Sequence, residues 1–334
     1  EKIVYSLPPS IQKAIGVGIG LFIAFIGLQN AKLVIGNKST LVSITNFTKD
    51  FHTAGICSLL AVIGLLITVI LYIKKVPGSI LIGILATWVI GMLCQITGIY
   101  VPDFKTGYYS LFPTFAMTDF SKLGETFGKC FQYDLGKVGI FNFIAVVLSF
   151  LFVDLFDTLG TLVGVSTKAG MLDEEGKLPG IKPALMADAV ATTAGAVLGT
   201  STVTTFVESS SGVAAGGRTG LTAVVSGFLF LISTLFAPLF TAIPSFATAP
   251  ALIMVGFLMF GAISDIKFTD DNMTEAVPAY LCIIAMPLFY SISEGISIGI
   301  ISYVILNVVC GKAKKITPLM YVLALLFILK YAVL

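Results

Sequence analysis

Long apolar runs dominate the chain, and short polar breaks separate them. The runs occupy 14–35, 54–73, 79–99, 138–165, 183–199, 219–243, 247–263, 277–290, 292–310 and 317–333. A helix rises about 1.5 Å per residue, so a bilayer core of about 30 Å takes about 20 mostly apolar residues to cross. The pattern therefore predicts an all-α polytopic membrane protein of about ten or eleven segments. A further stretch, 200–215, is apolar but rich in Ser and Thr, and it is too short to span as a helix.

Two connections are long and polar. Residues 100–137 carry four lysines (Lys105, Lys122, Lys129, Lys137) and four acids (Asp103, Asp119, Glu125, Asp134), which cancel. Residues 166–182 hold a turn-rich link ending Lys177-Leu-Pro-Gly180. Lysines and arginines of short loops face the cytoplasm. A cytoplasmic amino terminus, with 200–215 completing one crossing, puts Lys74, Lys75, Lys168, Lys177, Lys182, Arg218, Lys312, Lys314 and Lys315 on that side. The opposite side keeps the balanced 100–137 loop and, in 36–53, Lys38 and Lys49.

Composition agrees with lipid as the solvent. Hydrophobic residues make up 57% and charged residues 11%, against about 25% charged in a soluble domain. A net charge of +2 argues against a nucleic-acid partner. The single histidine, His52, reads as part of a polar loop, and the five cysteines are scattered with no paired spacing. Neither metal nor cofactor is expected. No nucleophile–base pair or phosphate-binding loop supports an enzyme.

Four acids read as lying inside apolar runs: Asp154, Asp157, Asp188 and Glu208. A carboxylate at mid-membrane costs at least about 2.5–3.5 kcal/mol on insertion scales, so such groups mark pathways by default. That favours a transporter, with an ion channel as the different-class alternative. Asp154 and Asp157 share one helix face. Two acids so close disfavour double ionisation, which suits a proton carrier. Thr158 lies one turn after Asp154 and is expected to hydrogen-bond it. Asp188 sits early in its segment and reads as structural. Gly160 and Gly164 read as a close-packing pair.

The second constellation is Gly199-Thr-Ser-Thr-Val-Thr-Thr-Phe-Val-Glu-Ser-Ser-Ser-Gly-Val-Ala-Ala-Gly-Gly-Arg218. Its β-branched start predicts an extended stretch over 200–205. Thr205 and Glu208 then match a capping box, predicting a half-helix over about 206–215 that ends at Gly216-Gly217. A broken backbone at mid-membrane exposes N–H and C=O groups to a ligand. Glu208 also has a plain reading as a cap of its own helix. The chain also contains a short internal match, Ile82-Gly-Ile-Leu85 with Ile298-Gly-Ile-Ile301. A four-residue match of this kind arises by chance in so apolar a chain.

Asp154-Leu-Phe-Asp-Thr-Leu-Gly-Thr-Leu-Val-Gly164, the Gly199–Gly220 stretch and Gly20-Leu-Phe-Ile-Ala-Phe-Ile-Gly-Leu-Gln-Asn-Ala31 closely resemble the AzgA-like purine permeases of the nucleobase–cation symporter superfamily. The resemblance runs along essentially the whole chain. It implies a uracil-permease-like fold of two inverted seven-segment repeats, divided into core and gate. It implies gate helices at 1–137 with an extracellular loop, core helices and the substrate site at 138–245, and a second gate portion at 246–334. It implies uptake of adenine, guanine and hypoxanthine by proton symport at the cell membrane. Asp154 and Glu208 would be the main substrate contacts and proton carriers with Asp157, joined by Thr158, Thr204, Thr205 and Ser209. The choice of H+ or Na+ and a homodimer are left open, as is a same-fold carrier for uracil, xanthine or an anion. By the same resemblance the chain starts just before the family's fifth segment. The strand at 200–205 would then await a partner from the first repeat, and this chain alone is not expected to transport.

Overall fold

The computed structural model describes residues 7–333 apart from 49, 104, 106, 133–138, 141–142, 144–146, 148–149, 152–153, 155–157, 159, 163, 167–168, 174–177 and 207. The architecture is mostly helical. Among the described residues, six helices are long and apolar enough to cross a membrane, at Pro9–Asn30, Phe51–Ile73, Ser79–Ile96, Ile181–Leu198, Ser245–Asp265 and Ile292–Val309.

In chain order, α1 is Pro9–Asn30, α2 is Ile56–Ile73 and α3 is Ser79–Ile96. The described positions from 140 to 169 are helical and form α4. Then come α5 (Ile181–Leu198), α6 (Ser209–Ala214), α7 (Gly220–Leu235), α8 (Ala237–Thr241), α9 (Ser245–Phe260), α10 (Met273–Leu288), α11 (Ile292–Val309) and α12 (Pro318–Val333). They belong to two compact units. One comprises Glu1–Phe22, Phe120–Ser210 and Leu258–Leu334, the other Ile23–Asp119 and Ser211–Phe257.

In the second unit, α2 and α3 form a hairpin around the Lys74–Gly78 turn, where Lys75 (φ 56°) and Gly78 (φ 72°) adopt left-handed backbone. Its two helices lock by reciprocal glycine–threonine contacts. A Cβ on Gly64 would stand 2.1 Å from Thr87 Oγ1, and one on Gly83 2.0 Å from Thr68 Oγ1. Each threonine donates back to its own helix, Thr68 to Gly64 O at 2.8 Å and Thr87 to Gly83 O at 2.7 Å. This hides the hydroxyl proton while the small partner lets the backbones approach.

The first unit repeats the device. Helices α10 and α11 form a hairpin in which a Cβ on Gly299 would meet Cys282 Cβ at 2.8 Å. Gly83 and Gly299 are the glycines of the two matching I-G-I sequences, and each lies at a close approach within a helix hairpin. Ser291 caps α11, its Oγ accepting from Glu294 N at 3.3 Å. The Glu294 carboxylate then accepts from Lys330 Nζ and from the Tyr331 hydroxyl, both on α12. Helix α1 packs on α10 at Gly18, and on α4 where Gly16 meets Gly164.

Three expectations are corrected. The run predicted as helix over 14–35 ends at Asn30, and Val34–Asn37 pairs antiparallel with Leu41–Ile44. Lys32 in left-handed backbone (φ 56°) breaks the helix, and Asn37 Oδ1 accepts from Ser39 N and Thr40 N to close the turn. The run at 219–243 is two helices broken at Phe236. Thr118, from the long polar loop, holds the break. Its N–H donates to Leu235 O at 3.0 Å, its hydroxyl donates to Thr234 O, and its Oγ1 accepts from Ala237 N at 3.1 Å. His52 sits in a π-helical turn, Phe51–Gly55, that leads into α2.

Candidate substrate site

The site assembles within the first unit from α4, α5 and the stretch that follows α5. Gly199 ends α5 in left-handed backbone (φ 78°), and a Cβ there would stand 2.5 Å from Thr126 O. Only glycine meets both demands. Gly128 N donates to Val197 O at 2.8 Å, satisfying a carbonyl freed at the helix end. Past Gly199 the chain turns back along α5. Gly195 makes room for it, because a Cβ there would lie 2.8 Å from Thr200 Oγ1 and 3.2 Å from Val203 Cγ2. Thr200 N closes the turn on Gly195 O at 2.9 Å.

This return brings residues 201–205 alongside two aspartates. The Thr202 hydroxyl donates to Asp154 Oδ1 on α4. The Thr158 hydroxyl, buried and one turn past Asp154, donates to Asp188 Oδ2 on α5 at 3.0 Å. Thr192, one turn past Asp188, donates to Val203 O at 2.8 Å and lies 3.2 Å from Thr202 Oγ1. Each helix thus carries an aspartate with a threonine four residues later, and each threonine serves the other helix or the returning strand. The two carboxylates interact electrostatically. Among the described residues neither has an ion-pair partner. Hydroxyl donors, not a fixed cation, orient them.

The predicted residues fare unevenly. Of them, Asp154 and Thr158 lie in one cluster, which Thr192, Thr202 and Val203, not singled out as site residues from sequence, complete. Thr158 does not serve Asp154 as expected, since its one proton goes to Asp188. Asp188, read as structural, joins the cluster. Thr204 and Thr205 are half-buried and follow in the irregular stretch, while Glu208 and Ser209 are exposed. Asp157 lies outside the described residues. The half-helix is shorter than predicted. Phe206 O accepts from Ser209 N at 3.2 Å in a turn, and α6 begins only at Ser209. Six residues at about 1.5 Å each span about 9 Å, too short a helix for its end to act as a ligand site. Ser210, in its first turn, is fully buried, and its Oγ has no partner among the described residues. The one sequence signal for the missed residues was the repeated spacing, Asp154 to Thr158 and Asp188 to Thr192.

Residues 1–326 match the xanthine/uracil permease model, described as Permease family. The chain belongs to this permease family. Guanine/hypoxanthine permease PbuG of Bacillus subtilis is 44% identical over 331 residues, 99% of this chain and 70% of that protein. Adenine permease AdeP of Escherichia coli is 38% identical over 327 residues, 98% of this chain and 68% of that protein. Nucleobase transporter PlAzg2 of Paenibacillus larvae is 32% identical over 303 residues, 91% of this chain and 55% of that protein. The permease chain is therefore a multi-pass protein of the cell membrane and a transporter, not an enzyme. Its hydroxyl-held carboxylates stand where the two sequence signatures of the permease converge.

Proposed function

We propose that this permease imports purine nucleobases (adenine, guanine, hypoxanthine) in symport with protons. The observation that carries the reading is a carboxylate, Asp154, held by a hydroxyl and flanked by a second carboxylate, next to an irregular Thr-rich stretch. A purine is flat and neutral, with N–H donors on its edge. An ionised carboxylate accepts such donors strongly, and backbone groups of the irregular stretch read the rest of the edge. The names of the relatives, guanine/hypoxanthine and adenine permeases, support the same substrate class. Among the described residues no cation pairs with Asp154 or Asp188, which disfavours an inorganic anion as cargo.

In this reading a proton from outside neutralises one carboxylate of the Asp154, Asp157 and Glu208 group, and the base binds. An elevator-type movement carries the core past gate helices, and both are released inside. The test is uptake of labelled hypoxanthine by the full-length protein. Asp154→Asn and Glu208→Gln are each expected to lower uptake at least about tenfold, the loss of one hydrogen bond to a charged group, with unchanged membrane expression. Undiminished uptake in either variant refutes that residue's assignment. Competition by unlabelled adenine, guanine and uracil, with and without an uncoupler, separates purine from other nucleobases and proton coupling from none.

A further inference from the structure

Four oxygens lie in sequence across the site: Asp154 Oδ1, Thr202 Oγ1, Thr192 Oγ1 and Val203 O. They make three contacts, and each contact takes one hydrogen. The two hydroxyls own two. A hydroxyl offers one donor and two lone pairs, a carbonyl or carboxylate oxygen only lone pairs. With Asp154 ionised, Thr202 donates to the carboxylate and Thr192 to Val203 O. The 3.2 Å contact between the two hydroxyl oxygens then has no hydrogen in it. With Asp154 protonated, three hydrogens serve three contacts. The carboxyl donates to Thr202, Thr202 turns its hydrogen to Thr192, and Thr192 keeps Val203.

We infer that the Thr202–Thr192 pair reads the proton on Asp154, so that protonation completes one hydrogen-bonded chain from α4 to the backbone of the site stretch at Val203. This rests on the reading of Asp154 as a proton carrier. The step moves one proton from water to a carboxylate and rotates one hydroxyl, and no other bond changes. Cooperative chains of this kind strengthen in a low-dielectric site. The two threonines are positioning residues, acting through Asp154 and Val203. The titratable group facing Asp154 from α5 is Asp188. Helix α1, packed on α4 at Gly16, carries Lys13, whose Nζ is directed to Asp265 O at 3.3 Å. Residues 200–206 carry no titratable group and lead to Glu208, and Asp157 follows Asp154 by three residues in the sequence.

The two threonines therefore act with opposite signs. Thr192→Val removes an acceptor used only in the protonated state. Thr202→Val removes a donor to the ionised carboxylate, a stronger bond than the one it accepts in the protonated state. The experiment is hypoxanthine uptake by the full-length protein in proteoliposomes, with internal pH fixed and external pH varied. Thr192→Val is expected to move the half-maximal pH of uptake about 0.7 unit to the acid side. At about 1.4 kcal/mol per unit that is one hydrogen bond of about 1 kcal/mol. Thr202→Val is expected to move it to the alkaline side by about half a unit or more, the difference between a charged and a neutral hydrogen bond. Thr192→Ser and Thr202→Ser restore the original value. Unchanged midpoints, or two shifts of the same sign, overturn the inference. Should one valine variant fail to insert, the other and its serine control still give a sign. Asp154→Asn separates the two levels, because pH-dependent uptake surviving in it overturns the carrier reading itself.

Discussion

Replacing Gly83 by alanine tests the packing on which the α2–α3 hairpin rests. The new methyl carbon would stand 2.0 Å from Thr68 Oγ1 and 3.0 Å from Thr68 Cβ, where ordinary contact begins at 3.4 Å. The shortfall to the oxygen is 3.4 − 2.0, about 1.4 Å. Thr68 is 1% exposed and its hydroxyl is committed to Gly64 O, so rotating it away gives up that bond and drives a methyl into the same gap. The helices must part instead, and overpacking of this kind costs about 1–3 kcal/mol. Parting also loosens the reciprocal seat of Thr87 on Gly64, which places the expected cost near the upper half, about 2 kcal/mol. The assay is thermal unfolding of the purified protein in detergent, followed by size-exclusion of the surviving fraction. Gly83→Ala is expected to lower Tm by several degrees, and Gly83→Ala with Thr68→Ala to recover most of the loss. A Tm equal to that of the parent, or a double variant no better than the single, refutes the reasoning.

Gly199→Ala combines a left-handed backbone with a 2.5 Å approach to Thr126 O. Strain of about 1–2 kcal/mol is expected to displace residues 200–203, and a hypoxanthine-binding titration should register at least a tenfold loss. Lys330→Met leaves the Glu294 carboxylate, which is 25% exposed, without its cation. Discounted for that partial exposure, a loss of about 1–3 kcal/mol is expected, and Lys330→Met with Glu294→Gln should be more stable than Lys330→Met alone in the same Tm assay. Thr118→Val removes the hydroxyl that bonds both Thr234 O and Ala237 N. Hydrogen exchange at residues 235–239 should accelerate severalfold, while exchange in α2 stays as it was.

The helices were legible because a spanning helix has little freedom in length, and a long apolar run admits few other structures in lipid. The exceptions have local causes. Val34 and Ile35 continue an apolar run in sequence, yet Lys32 turns the backbone before them and they pair as a strand with Ser43 and Ile44. Run length does not record a single left-handed residue. Asp154 stood out in the sequence because a carboxylate in an apolar run is conspicuous. Its partner was not, because spacing along one helix ties Thr158 to Asp154 while the hydroxyl serves Asp188, 30 residues on. Glu294 and Lys330 escaped for the same reason, being 36 residues apart on consecutive helices. Partners across helices are set by packing, and a single sequence shows only neighbours along one.

Chemistry adds a reason for threonine, rather than lysine or arginine, around these carboxylates. A fixed cation would hold Asp154 ionised through the whole cycle, and a permanently paired carboxylate has little affinity left for a proton. It would also be occupied when an N–H donor of a neutral base arrived. A hydroxyl stabilises either charge state by turning its hydrogen, at the cost of rotating one bond. Such hydroxyls come from two directions, Thr158 of α4 to Asp188 and Thr202 of the stretch after α5 to Asp154. The same logic separates this site from the Glu294–Lys330–Tyr331 cluster in the same unit. There an ammonium pairs with the carboxylate and the cluster ties α11 to α12. On the proposed mechanism, the first arrangement suits a group that changes charge during transport, and the second suits a tie between helices.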